Sequence, residues 1–225
     1  MVALPSARDR TRLADSVFTI AASLRLGLPV ASPRLCRCGQ ALDCLGDHVI
    51  TCKRGTARSA RHSEVNARIR AALTEAGVTS ILEPPGLART DGKRPDGVTV
   101  LPFERGLPLA WDATIRHTSA PAYVHLTSIN ARSAAVFAET VKEKKYAPLA
   151  KRAFFMAVGL ETLGAFGPSA LQLFEAIASR VRARTGEQGV RARPFRRLAA
   201  AIQIGNAACI VEAHTLTLPQ LGQEL

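Results

Sequence analysis

Residues 91–115 read DGKRPDGVTVLPFERGLPLAWDATI. Asp96 follows Pro95 and leads into the apolar run Val98-Thr99-Val100-Leu101, and Asp112 lies inside a second run, Leu109 to Ile115. Both runs have the length and character of strands, 96–101 and 108–115, with a turn at Phe103 to Gly106 between them. Antiparallel pairing would set the start of one beside the end of the other. Two carboxylates could then meet at one sheet edge, where hard oxygen ligands hold a divalent cation. A backbone carbonyl near Ala113 could complete the shell. The near-continuous apolar character of 108–115 predicts a buried central strand, with Trp111 facing the core on the side opposite Asp112.

On either side of this pair the periodicity predicts helices. Residues 8–27 carry Leu13, Val17, Ile20, Leu24 and Leu26 at near-helical spacing and stop at Gly27 and Pro29. A basic helix at 60–76 places Val65, Ile69, Ala72 and Leu73 on one face and ends at Gly77. A strand at 79–83 follows, then the Pro/Gly-rich loop EPPGLARTDGKRP. Beyond the central strand come a loop at 117–131, a helix at 132–150, a strand at 153–160, and helices at 168–185 and 194–213. The expected fold class is mixed α/β, with a three-strand meander rather than a run of βαβ units.

Composition narrows the partner class. With 30 Lys and Arg against 18 Asp and Glu the 225-residue chain carries +12, which favours a polyanion, nucleic acid before membrane. At 47% hydrophobic residues it can bury a core. No apolar run is long enough to predict a transmembrane helix. The start, MVALPSARDRTRLAD, lacks an apolar signal region, so an intracellular place, nuclear or cytoplasmic, is expected. Aromatic residues are only 5%, which gives little basis for a base-stacking platform.

Four of the five cysteines fall between residues 36 and 52. Cys36-x-Cys38 and His48-xxx-Cys52 are two tight pairs separated by a short loop with Gly39 and Gly46, a spacing suited to structural Zn²⁺. A segment this poor in large apolar residues needs such a staple to fold. Cys44, between the pairs, is a bystander or alternative ligand. Cys209, in an apolar helix, is expected to be packed in the core.

Phosphodiester hydrolysis needs Mg²⁺ or Mn²⁺ to bridge a scissile phosphate and an attacking water, and a lysine to orient that water or offset developing charge. The position two residues after the second acid holds Thr114. The following helix offers AETVKEKKY, with Lys142 and Lys145 three apart on one face.

The sequence resembles the C-terminal region of reverse-transcriptase polyproteins from LINE-type retrotransposons that carry a restriction-like endonuclease. The likeness covers nearly the whole chain. It rests on CRCG followed by LGDHVITCKR, then ARHSEVN, EPPGL, RTDGKRPDGVTVLP, LAWDATI, VKEKKYAPL and GLETLGAFG. It implies a CCHC-type zinc knuckle (33–58) between an N-terminal helical segment (1–32) and a PD-(D/E)XK nuclease domain (59–215), with a tail at 216–225. Asp96 would be the first metal-binding acid and Asp112 the second, with Lys142 or Lys145 as the displaced catalytic lysine. Glu83, ending a predicted strand, would be a further acid near the metal, ahead of Glu64.

Lys93 and Arg94 flank the expected metal. Arg58, Arg61 and Arg68, with Arg54 and Arg70, follow the zinc knot, and Arg191, Arg193, Arg196 and Arg197 mark the last loop. Such clusters suit backbone contact without sequence readout. The implied activity is nicking of target DNA to expose a 3′ hydroxyl for target-primed reverse transcription. The implied partners are DNA, with RNA as the alternative, and the reverse-transcriptase domain of the parent polyprotein. No Tyr/Phe-x-Asp-Asp polymerase motif occurs, so the chain reads as a detached piece, an independently expressed relic or a domesticated copy. The competing expectation is a catalytically inactive nucleic-acid-binding remnant of such an element; a zinc-stapled protein-interaction module is a third.

Overall fold

The computed structural model describes residues 6, 9, 11–87 and 94–215. A four-stranded mixed sheet has the order β3-β4-β5-β6, built from β3 (Ser80–Leu82), β4 (Gly97–Glu104), β5 (Leu107–Arg116) and β6 (Phe154–Glu161). The first two pairings are antiparallel and the last is parallel. The expected meander is thus β3-β4-β5, and helix α5 (Ser133–Tyr146) makes the β5-to-β6 crossover of a single βαβ unit. Ahead of the sheet lie α1 (Asp15–Leu26), the two-residue strands β1 (Arg34–Leu35) and β2 (Ala41–Leu42), α2 (Asp47–Thr51) and α3 (Thr56–Glu75). A single turn, α4 (Val124–Thr127), interrupts the expected loop, and α6 (Pro168–Thr185) and α7 (Arg193–Thr215) close the chain. No helix among the described residues is long and apolar enough to cross a membrane.

The two faces of β5 are used differently. Leu109, Trp111 and Ala113 join Val65, Ile69 and Leu73 of α3, Leu173, Phe174 and Ile177 of α6, and Leu198 and Ile202 of α7 in one buried cluster. The alternate residues face α5, which approaches so closely that a Cβ at Gly159 would lie 2.4 Å from the Ala135 carbonyl oxygen. Trp111 is fully buried, as its place opposite Asp112 predicts, and its indole N–H donates to Asn66 Oδ1 at 3.0 Å.

Gly97 sets the start of β4 on top of that indole. A Cβ there would lie 2.1 Å from the Trp111 ring, and a ring buried on all sides cannot yield. Gly97→Ala is therefore expected to cost about 1–3 kcal/mol by overpacking, read from denaturant unfolding.

Several helices begin on carboxylates supplied from elsewhere in the chain. Glu212 accepts from the Thr56 and Ala57 amides at the head of α3, both at 2.9 Å. Glu161 accepts from Ala134 and Ala135 at the head of α5, and Glu139 from Ser169 and Ala170 at the head of α6. Each satisfies orphan N–H donors and meets the positive end of the helix dipole. Glu139 and Glu161 are buried acids with this structural task.

Some boundaries differ from the sequence expectation. Helix α1 starts at Asp15 rather than residue 8, because the segment before it is held by a Thr11-to-Ser6 turn and by Asp9 facing Arg193, Arg196 and Arg197. Strand β4 runs on to Glu104, and the hairpin turns at Arg105 and Gly106, both with positive φ (51° and 72°), as a two-residue turn requires. Helix α5 ends at Tyr146, and Pro148 confines the continuation to a 3-10 turn at Ala147–Lys151.

Candidate metal and acidic sites

The β1-β2 ribbon and α2 gather Cys36, Cys38, His48 and Cys52 so that their ligand atoms all lie within 4.8 Å of one another. Cys36 Sγ is 3.6 Å from Cys52 Sγ, and Cys38 Sγ is 3.2 Å from His48 Nε2. This Cys/His cluster can hold a metal ion. Asp43 fixes the helix that carries His48 by accepting from the Asp47 and His48 amides at 3.0 and 2.9 Å. Gly46, at φ 78°, lets α2 begin against α7: a Cβ there would sit 2.5 Å from Ile210 Cδ1. A hydrogen bond from the Gln40 backbone holds the Cys38 thiol below its ordinary pKa, while burial raises Cys36. Cys44 lies outside the cluster and is exposed, and Cys209 is buried beside Ile210.

The two expected acids, Asp96 just before β4 and Asp112 within β5, take opposed backbone positions. Gly97 pairs with Trp111, so Asp96 and Asp112 are neighbours where β4 leaves the sheet. Beyond that point β5 continues, among the described residues, beside β6 alone, and side chains take over the other edge. Asp96 Oδ2 accepts the Ala113 amide at 2.7 Å, and His62 Nε2 of α3 lies 3.1 Å from both Asp96 Oδ2 and the Ala113 carbonyl oxygen. Asp112 is buried, with Lys142 Nζ at 2.6 Å and Lys145 Nζ at 3.8 Å. Lys145 also donates to Tyr146 Oη at 2.9 Å and lies over that ring. Lys142 is therefore the lysine more directly committed to Asp112.

His62 is the site residue that the sequence reading missed. The hydrogen bond to Asp96 raises its pKa against the opposing effect of burial, with the charges of Asp96 and Asp112 adding to the rise. Burial alone would raise Asp96, but the His62 contact and the Ala113 amide outweigh it and hold the carboxyl below its usual range. Two carboxylates at opposed backbone positions, both largely buried, need positive charge beside them. Here His62 and Lys142 supply it.

The other expected residues divide. Glu83 donates its backbone N–H to the Asp96 carbonyl at 2.8 Å, but its side chain is exposed and paired with Arg94. It does not join the acids. Glu64 pairs with Arg68 one turn away on α3, an intrahelical pair that occupies both. Lys93 lies outside the described residues. Arg61 is a correction: rather than meeting a phosphate it is buried, donating to Asn206 Oδ1 at 2.6 Å and to the Ile50 carbonyl at 3.1 Å. It ties α3 to α7 and to the Cys/His module. Arg58 is exposed on the same helix.

The late arginine cluster is also largely internal. Arg193 bonds Glu75 and Glu187, and Arg197 Nη1 lies 2.7 Å from Glu75. Burial pushes the Glu75 carboxyl up, but these two guanidiniums win and hold it below the ordinary range. A depressed folded-state pKa gives stability that is present above the unfolded value and lost as pH falls through the folded one. Unfolding free energy should therefore decline below about pH 4.5, and Glu75→Gln should flatten that decline and cost about 1 kcal/mol at neutral pH. Urea titrations at stepped pH check both.

Neither family models nor curated proteins yield a match to this chain.

Proposed function

We propose that the chain is a metal-dependent DNA endonuclease of the PD-(D/E)XK kind with a structural zinc knuckle, related to the restriction-like endonuclease region of LINE-type retrotransposon polyproteins. The observation that carries the reading is the convergence of Asp96, Asp112 and Lys142 where β4 leaves β5. Asp96, Asp112 and the Ala113 carbonyl form an oxygen-rich set that suits Mg²⁺ or Mn²⁺. Such an ion would polarise a phosphoryl oxygen and activate a water. Lys142 sits where it can stabilise charge developing on the phosphate, and His62 holds Asp96 and the Ala113 carbonyl in place. Thr114 occupies the usual lysine position, and Lys142 reaches the same acid from α5.

For the Cys/His module the proposed ion is Zn²⁺. Zinc–sulfur bonds of 2.3 Å in a tetrahedron put sulfurs roughly 3.8 Å apart, close to the 3.6 Å between Cys36 and Cys52. With four protein ligands such a site is structural. The net charge of +12 supports a nucleic-acid partner.

The test is the chemistry of the cut. Incubation of duplex DNA with Mg²⁺ or Mn²⁺ should leave 3′-hydroxyl ends that a polymerase extends directly. Ends that are not extendable, or cleavage independent of added divalent metal, would remove this reading. Retained DNA binding with no cutting at all would favour the inactive remnant, in which Lys142, Lys145 and His62 neutralise the two acids.

A further inference from the structure

Beyond the acids, an open cleft follows the free edge of β5 toward its C-terminus. Arg58, Ser59 and His62 of α3 line one side, and Thr114, Arg116 and Lys142 line the other. Its lining is mostly polar, unlike the apolar pockets elsewhere in the fold, and it abuts the candidate cutting site through His62 and Lys142.

Two of its charges are unspent. Neither Arg58 nor Arg116 has a carboxylate partner among the described residues, whereas Arg68, Arg94, Arg193 and Arg197 each do. Arg116 stacks over the Tyr123 ring at 5.7 Å, which steadies its guanidinium. The Thr114 hydroxyl oxygen and Arg116 Nε are buried without a hydrogen-bond partner among the described residues, a condition that costs free energy unless something supplies the missing contact. The edge is also open along its backbone. Asp96 and His62 take the Ala113 amide and carbonyl, and the two-residue alternation of a strand puts the Ile115 amide on the same edge.

We propose that this cleft is a phosphate subsite for the DNA strand being cut. Arg58 and Arg116 clamp one backbone phosphate downstream of the acids, with Ser59 and the Ile115 amide as neutral donors. Asp112 and Arg116 lie four residues apart on one strand, about 13 Å, or roughly four nucleotide steps at 3.4 Å rise. One strand can therefore span both. The subsite reads no sequence; it sets where along the backbone the scissile bond falls. This inference rests on the nuclease reading for the identity of the strand, but it is tested by binding alone.

The experiment measures affinity of zinc-loaded protein for a fluorescent DNA duplex by anisotropy, without added Mg²⁺ and across a salt series. Arg58→Gln, Arg116→Gln and the double variant are compared with the paired control Arg182→Gln/Arg184→Gln, which removes the same two charges from α6 outside the cleft, and with Arg182→Gln, the single-charge control. The double variant should bind at least about 10-fold more weakly at physiological salt, and its slope of log affinity on log salt should fall by about 1, the value for one phosphate contact. Both controls should leave the slope unchanged. Exposed Arg58 can be replaced without disturbing the core, so Arg58→Gln alone should show part of the loss even if Arg116→Gln lowers stability. An unchanged slope in the double variant overturns the subsite, as does a wild type with no DNA affinity. A wild type that never nicks DNA, with the double variant still losing affinity and slope, would retire the nuclease and keep the subsite.

Discussion

Asp112→Asn is expected to abolish nicking, by a factor of at least 10² to 10³ on the scale of losing one preorganised charge-stabilising group, while leaving DNA affinity intact or raised. Asp112 is buried beneath Lys142. The amide keeps the shape but loses the negative charge that a divalent cation needs. It also removes a carboxylate that repels the incoming phosphate, so binding and cutting should separate. The fold should survive, because Lys142 is 22% exposed and can turn to water once its partner is neutral; a cost of about 1–3 kcal/mol is expected. Lys142→Ala should lose more activity than Lys145→Ala, since Lys142 lies at 2.6 Å and Lys145 at 3.8 Å with a second bond to Tyr146. Rates of plasmid nicking paired with anisotropy on the same preparations check both statements. Equal loss of binding and cutting in Asp112→Asn would mean that the residue serves the fold.

Denying the Cys/His module a metal ion is expected to have the largest effect on stability. The module's own apolar residues are few: Leu42, Val49 and Ile50 pack on Cys209 and Ile210 of α7. Without four ligands drawn together, that small cluster cannot offset the chain entropy of residues 34–54. Chelation, or Cys52→Ser, should unfold the module and lower Tm by on the order of 10 °C or more. The damage should extend beyond it. Asp47 of α2 bonds buried His117 at 2.7 Å, His117 Nδ1 lies 2.9 Å from Thr162 Oγ1, and Arg61 bonds the Ile50 carbonyl. Together they link α2 to the ends of β5 and β6 and to α3, which also carries His62. Metal analysis should find one Zn²⁺ per folded chain, released as the protein unfolds. A Tm indifferent to chelation would contradict the structural role.

How far the sequence alone reached follows from what is local. The strand pair and its acids were legible because turn residues and carboxylates at the two runs fall within 25 residues; the pairing of Gly97 with Trp111 was not, because it depends on two register shifts between Val98 and Glu104. Helix α6 was legible to the residue, with Pro168 opening it and Gly186 closing it in a left-handed cap. The start of α3 was not, because its cap is Glu212, more than 150 residues away in sequence. His62 was hidden for the same reason: only the packing of α3 on β5 brings it to Asp96. One signal was present. His62 and Asn66 are polar residues at i,i+4 next to the apolar face of Val65, Ile69 and Leu73, and Asn66 is buried there to receive the Trp111 indole. Arg61 carried no such signal, since a buried arginine within RSARHSEVNAR reads like its exposed neighbours.

Supercoiled plasmid incubated with Mg²⁺ or Mn²⁺, with wild type, Asp96→Ala and Asp112→Ala compared at equal zinc content, tests the central claim most directly. Conversion to nicked circle is expected with the wild type and with neither variant. Nicking that persists in both variants, or a wild type that binds the plasmid and leaves it supercoiled with either metal, would contradict it.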